Sequence, residues 1–245
     1  MSTPGPITVY YWPIRFRGNF LKYLLEEAGK EYKTVQTFPE IKQALADAKT
    51  GYPVFAVPLL QVGDFRCSQM PACVLHLAKM LKMEPEGAEN QTHALMMLLN
   101  CNDILDNITM NGGHYKMWTA ELWKKFEEER LAKWIGVLNT ALEKNPNTSK
   151  ALKDGNNLYF FGSKVSYVDF AVLAIMDGLV DEFGLQSYVE KLAPSLALHF
   201  KQMSARPSVQ KLWSVQKPKD RSKWNPYCGG QIQKSIETSI AENKK

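Results

Sequence analysis

Long apolar runs are missing from this 245-residue chain. No stretch approaches the roughly 20 apolar residues that a bilayer-spanning helix needs, so no membrane span is expected. The opening stretch MSTPGPITVYYW lacks the charged-then-apolar layout of a secretory signal. Cysteine is scarce: Cys67, Cys73, Cys101 and Cys228 are scattered and form no CxxC pair, which argues against a disulfide framework. The four histidines are dispersed, so no zinc-ligand spacing arises and no metal is expected. Internal repeats and low-complexity tracts are lacking as well. Together these absences point to a cytoplasmic protein of a reducing compartment. A large excess of one charge sign is also missing. The net charge is +5, from 30 basic and 25 acidic residues, with no long basic block. Lys217, Lys219, Arg221 and Lys223 make one short basic patch, read as a solvated face in preference to a nucleic-acid contact.

What is present is an ordinary folding composition, 45% apolar and 22% charged, long enough to bury a sizeable core in one or two domains. The first third mixes strand and helix signals. ITVYYW (7–12) is aromatic and β-branched, as strands are. Phe20, Leu21, Leu24, Leu25 and Ala28 then recur at helical spacing, with Gly29 at the expected C-cap. YKTVQTF supplies a second strand, so the three elements make a βαβ unit with a right-handed crossover. A short helix is expected over 40–49. AVPLLQVGDFRCS reads as a hairpin turning at Val62–Asp64, with Pro58 at a strand start, a position suited to a cis bond. MPACVLHLAKMLKM closes the unit as a helix with Pro71 in its first turn. Residues 1–84 are therefore expected to form a βαβ–ββα domain.

The character changes at the polar stretch EPEGAENQ, beyond which only helix signals appear. A helix carrying Leu95, Met96, Leu98, Leu99, Ile104 and Leu105 should end near Gly112–Gly113. In the stretch 119–145, Leu122, Phe126, Leu131, Trp134, Ile135, Leu138 and Leu142 fall on one helical stripe opposite charges. YVDFAVLAIMDGLVDEFG is apolar nearly all round, as a central bundle helix is. The expected division is an all-helical domain over 85–216 and a polar extension over 217–245, lying along the surface before a short last helix. Within the helical part, Ser166 and Asp169 stand as an S-x-x-D capping box, with Val165 and Phe170 at the staple positions. That box satisfies a buried helix start, a folding role preferred to catalysis by Asp169.

These elements in this order resemble the cytosolic glutathione transferases. The likeness runs over roughly residues 7–215. VYYWPIRFRGNFLKYLLEEAGKEYKTV is similar to the first strand and helix of the tyrosine-type classes, pi and sigma above all. AVPLLQVGDFRCSQM resembles their x-V-P-x-L…G-D…Q-S element, and MSARPSVQKLW a helix late in their second domain. The resemblance implies a thioredoxin-like α/β domain followed by an all-α domain, a homodimer, glutathione as co-substrate, and conjugation of glutathione to small hydrophobic electrophiles, a detoxification chemistry.

The resemblance also implies roles. Tyr11 matches the tyrosine that ends the first strand and donates a hydrogen bond to the glutathione sulfur; the bland alternative is a core tyrosine. Strand alternation turns Tyr10 to the opposite face, making it the expected core residue. Where a dithiol oxidoreductase of this fold carries its cysteine pair, the sequence has WPIR, which speaks against disulfide exchange there. Val57 and Pro58 match the cis-proline step whose backbone pairs with the cysteinyl part of glutathione. Gln69 would bind the γ-glutamyl end. Lys49 either meets the glycine carboxylate or is simply solvated, and Arg17 either nears the ligand or pairs with an acid. Trp12 and Tyr115 fall at the electrophile pocket.

Three departures from the family stand out. Met70 occupies the place of the usual Ser or Thr, whose hydroxyl holds the γ-glutamyl carboxylate. The tryptophan near the glycine end is missing: Phe38 precedes its place and Gln43 aligns with it. Gly112–Gly113 interrupt the helix that should present Tyr115. Asp103 or Asp106 stands where an acid reaches across the family's dimer, or is a surface acid. The expected function is therefore a glutathione transferase. The alternatives are a glutathione-dependent isomerase or peroxidase, and a non-catalytic structural or interaction protein of the same fold.

Overall fold

The computed structural model describes residues 5–47, 52–109 and 118–242. In chain order the elements are β1 (Ile7–Tyr10), α1 (Arg17–Glu27), β2 (Lys33–Val35), α2 (Phe38–Ala46), β3 (Leu59–Val62), β4 (Phe65–Ser68) and α3 (Met70–Leu81). Helices follow: α4 (Ala88–Thr109), α5 (Ala120–Phe126), α6 (Ala132–Lys144), α7 (Thr148–Asp154), α8 (Tyr167–Asp177), α9 (Gln186–Leu192), α10 (Pro194–Ser204), α11 (Pro207–Gln216) and α12 (Gln231–Glu242). Strands among the described residues are confined to the first third, as the expected α/β-then-α fold requires. No described helix is long and apolar enough to cross a membrane.

The chain divides into two compact units, Met1–Glu84 with Arg206–Asn225, and Pro85–Ala205 with Pro226–Lys245. In the first, the sheet order is β2-β1-β3-β4. β1 and β2 run parallel through the α1 crossover, while β3 pairs antiparallel with both β1 and β4. Gly63 turns the β3–β4 hairpin with a φ of 58°, a left-handed conformation that costs glycine little. α1 packs on α3, and each brings an apolar stripe: Phe20, Leu21, Leu24 and Leu25 from one, Val74, Leu77 and Ala78 from the other, all buried. Burying a side chain of this size stabilises by about 1.5–3 kcal/mol.

The first unit takes in residues from two stretches of the chain. α11 and the residues after it group with the first unit because α1 holds them. Trp213 Nε1 donates to Tyr23 Oη at 2.7 Å. The amides of Asn19 and Gln216 exchange two hydrogen bonds, both 3.0 Å and buried. Arg206 pairs with Glu27, which also accepts from Ser208 at 2.5 Å. Past α11 the chain folds back, so that Arg15 Nε donates to the carbonyl of Asn225 at 2.7 Å.

In the second unit α8 is buried at every residue, as its all-round apolar sequence requires, with α4 and α10 packed on it. The capping box forms: Asp169 accepts from the Ser166 N–H at 2.7 Å and from the Phe160 N–H at 3.0 Å. His199 Nε2 lies 3.0 Å from the same carboxylate, both groups wholly buried. The single stripe expected over 119–145 is broken. A π-helical segment, Glu127–Leu131, separates α5 from α6. Its wider turn shifts the helical phase, so Trp123 is buried in place of Leu122, which is 46% exposed, and Trp134 is only half-buried. The carbonyl of Glu127 accepts from Tyr188 Oη at 2.7 Å. The expected surface tail is corrected too. Tyr227 and Cys228 are buried, and α12 packs on α5.

Candidate active site

One row of the sheet organises the candidate site. Val35, Tyr10, Leu59 and Ser68 are register partners across β2, β1, β3 and β4. The residues that step off this row at the same end are Tyr11, Pro58 and Gln69. Neighbouring strands lie about 4.8 Å apart, so β1 and β4, on either side of β3, bring Tyr11 and Gln69 to within about 10 Å. Residues 11, 58 and 69 are thus assembled by pairing alone.

Tyr11 extends the ladder one residue past β1, its N–H donating to the Val35 carbonyl at 3.0 Å. Ile7 and Val9 are buried, Thr8 and Tyr10 half-buried. Alternation carries Tyr11 onto the Val9 side, where it is 3% exposed. This reverses the assignment of Tyr10 as the core tyrosine. Tyr10 sits on the wetter face and donates to Gln61 Oε1 at 3.3 Å.

The Tyr11 ring rests on Gly18 in the first turn of α1. A Cβ at position 18 would lie 2.4 Å from Tyr11 Cδ1, closer than any real contact. Gly18 therefore sets where the phenol stands, a role that sequence reasoning missed. Its only signal was a glycine inside a helix, a choice that costs about 0.5–1 kcal/mol against alanine. Arg17 begins α1, half-buried, with its guanidinium carbon 4.8 Å from the centre of the Phe16 ring. Trp12 stacks on Phe38, centroids 6.1 Å apart and planes 16° from parallel.

The Val57–Pro58 bond is cis, with Val57 half-buried just ahead of β3. Gln69 is exposed and caps α3 with a left-handed φ of 71°. Met70 opens the helix with its side chain 1% exposed, turned into the core. What α3 presents at this end is therefore the N–H groups of Met70 and Ala72, since Pro71 has none and that of Cys73 is bonded to the Gln69 carbonyl. Lys49, Tyr115 and Gly112–Gly113 lie outside the described residues. Among the described residues no group of three His, Cys, Asp or Glu side chains could hold a metal ion.

Residues 93–239, more than half of the chain, match the family model described as glutathione S-transferase, C-terminal domain. The chain belongs to the glutathione S-transferase family. A glutathione S-transferase of Plasmodium falciparum is 27% identical over 216 residues, covering 83% of this chain and 93% of its own. Human glutathione S-transferase P is 24% identical over 209 residues, 84% of this chain and 90% of its own. Among solved structures, the Pi-class glutathione S-transferase of Onchocerca volvulus superposes with a TM-score of 0.70 at 18% identity, covering 89% of this chain and 95% of its own. That likeness is one of fold. Tyr11, Pro58 and Gln69 lie at one sheet end, Trp12 follows Tyr11, and Arg17 opens α1.

Proposed function

We propose that this family member conjugates glutathione to small hydrophobic electrophiles, with Tyr11 as the catalytic residue. The convergence of Tyr11, Val57–Pro58 and Gln69 at one sheet end carries this reading. A free thiol has a pKa near 8.5 and is mostly protonated at neutral pH. A hydrogen bond from the Tyr11 hydroxyl to the thiolate favours the charged form and lowers that pKa. The thiolate then attacks the electrophilic carbon, and the leaving group departs with the bonding pair. The backbone of Val57 would pair with the cysteinyl unit as an added strand. Gln69 and the N–H groups opening α3 would take the γ-glutamyl carboxylate. Arg17 and Lys49 would supply positive charge, and Trp12 with Tyr115 would line the electrophile side.

The same reading includes a cytoplasmic, detoxifying homodimer. Its support is an apolar strip on α4, where Leu95, Met96 and Leu99 are 36%, 49% and 44% exposed. Sedimentation should give twice the chain mass; a monomer at all concentrations would remove the dimer from the reading.

One observation favours a second reading, a non-catalytic member of the family. Met70 is buried where a hydroxyl would be needed, and the loss of one charge-assisted hydrogen bond weakens binding by about 1.5–3 kcal/mol. Retention on glutathione resin followed by turnover of a chlorodinitrobenzene-type electrophile separates the two. The transferase reading expects both, with turnover cut sharply in Tyr11→Phe. No retention and no turnover would establish the second reading. Turnover of an isomerisation or peroxide reduction with the same Tyr11 dependence would redirect the substrate while keeping the thiolate chemistry.

A further inference from the structure

Cys67 and Cys73 bracket Gln69 and Met70, one on β4 and the other in the first turn of α3. No CxxC motif announces them. The strand-to-helix turn nevertheless brings their sulfurs to 3.6 Å. Cys73 is wholly buried, its Sγ also 3.3 Å from the Cys67 carbonyl and 3.9 Å from that of Pro58, while Cys67 is half-buried. The two thiols are therefore unequal: one is half-buried and the other wholly buried beside it.

We propose that Cys67 and Cys73 form a dithiol site that exchanges with low-molecular-weight disulfides of the glutathione type, closing to an intrachain disulfide across the Gln69 turn. The proposal does not rest on the conjugation reading. The WPIR segment excludes a cysteine pair only after the first strand.

The electrostatics agree with the division of labour. The hydrogen bond between the two thiols holds the Cys67 thiol below its usual range. The same contact, with burial, pushes Cys73 upward. Cys67 is thus the attacking thiolate and Cys73 the resolving thiol. The Cys67 thiolate attacks one sulfur of glutathione disulfide; that S–S bond breaks and one glutathione leaves as thiolate. Capping Cys67 removes its negative charge and the contact that chiefly raised Cys73. The Cys73 sulfur then attacks the Cys67 sulfur and expels the second glutathione. Two protein thiols are oxidised, one glutathione disulfide is reduced to two glutathiones, and the two thiol protons go to them. Closure needs the sulfurs to approach from 3.6 Å to about 2.05 Å.

The test equilibrates the whole folded chain in buffers of stepped glutathione to glutathione disulfide ratio, quenches with an alkylating agent, and maps peptides by mass. The expected result is loss of two hydrogens and a crosslinked pair of peptides carrying residues 67 and 73. Cys101 and Cys228, buried in the second unit, serve as internal controls that stay reduced. Cys73→Ser should instead accumulate a glutathione adduct on Cys67, and Cys67→Ser should show neither product. If both thiols of the wild-type chain remain alkylatable at every ratio, or if Cys73→Ser collects no adduct, the proposal is overturned. Conjugation by the reduced wild-type chain is measured in parallel, so failure of one reading leaves the other distinguishable.

Discussion

The ring of Tyr227 fills the space above Gly178. A Cβ at position 178 would lie 2.2 Å from Tyr227 Cζ and 2.4 Å from Cε1. The Tyr227 hydroxyl donates to the Ala174 carbonyl at 3.4 Å, and its ring meets Phe183 edge-on, centroids 6.1 Å apart. This contact anchors the start of the last segment to the end of α8, where the π-helical segment Gly178–Glu182 begins. Gly178→Ala should expel the ring and destabilise the chain by about 1–3 kcal/mol, as overpacking does. In a Tyr227→Ala background the same substitution should cost almost nothing. Urea unfolding of the four proteins checks the coupling; additive losses would show that the contact does not anchor the tail.

Gly18 stands to Tyr11 as Gly178 does to Tyr227, but here the prediction concerns turnover. Gly18→Ala must displace the Tyr11 ring, and a misplacement near 1 Å costs roughly a hundredfold in rate. The expected outcome is a fall in kcat with helical content retained by circular dichroism. Because alanine suits a helix better than glycine, the change should not unfold α1. A kcat equal to wild type would mean that the ring's position does not govern the chemistry.

The sequence revealed the elements whose signals are local. Alternation and turn chemistry located the hairpin around Gly63, and the Ser166–Asp169 spacing announced a helix start that the structure forms. What it hid depends on distant partners. The phase change at Glu127–Leu131 leaves every residue helix-compatible, so a continuous stripe was the natural reading of Leu122 and Trp134. Tyr227 lies in a polar stretch, and its burial follows from a glycine about fifty positions earlier. Cys67 and Cys73 carry no motif because a strand, a turn and a helix start place them together. The exchange of Tyr10 for Tyr11 as the buried ring came from setting the alternation by resemblance and not by Ile7 and Val9, whose burial fixes it.

Lys22 gives a prediction of pH dependence. It is 4% exposed in a pocket of the first unit, lined also by Glu26, Tyr32 and Lys211. Glu26 pairs with Lys211 at 2.8 Å and accepts from Tyr32 Oη at 2.9 Å. Burial pushes Lys22 down to about 8. An unfolded lysine titrates near 10.4, so between these values the unfolded chain binds more protons and stability rises with pH. Below pH 8 both states are charged and the fold bears the full cost of burying that charge. Lys22→Met should therefore stabilise the chain by about 1–3 kcal/mol at pH 7 and remove the rise between pH 8 and 10.5. Tyr32, raised by burial and by Glu26, contributes an opposite slope above pH 10 in both proteins, so their difference isolates Lys22. Parallel pH–stability curves would refute this account.

Met70→Ser separates the two roles of one position. The native side chain is 1% exposed, so its removal costs core packing, about 2–5 kcal/mol by analogy with methionine-to-alanine truncation. The new hydroxyl would stand at the first residue of α3, beside the N–H groups proposed to hold the γ-glutamyl carboxylate. A hydrogen bond to that carboxylate is worth about 1.5–3 kcal/mol, or tenfold to over a hundredfold in affinity. The variant should thus melt earlier yet bind glutathione more tightly, with calorimetric titration and thermal unfolding read on the same sample. Weaker folding with unchanged affinity would place position 70 outside the site, and the carboxylate would then depend on Gln69 and the helix backbone alone.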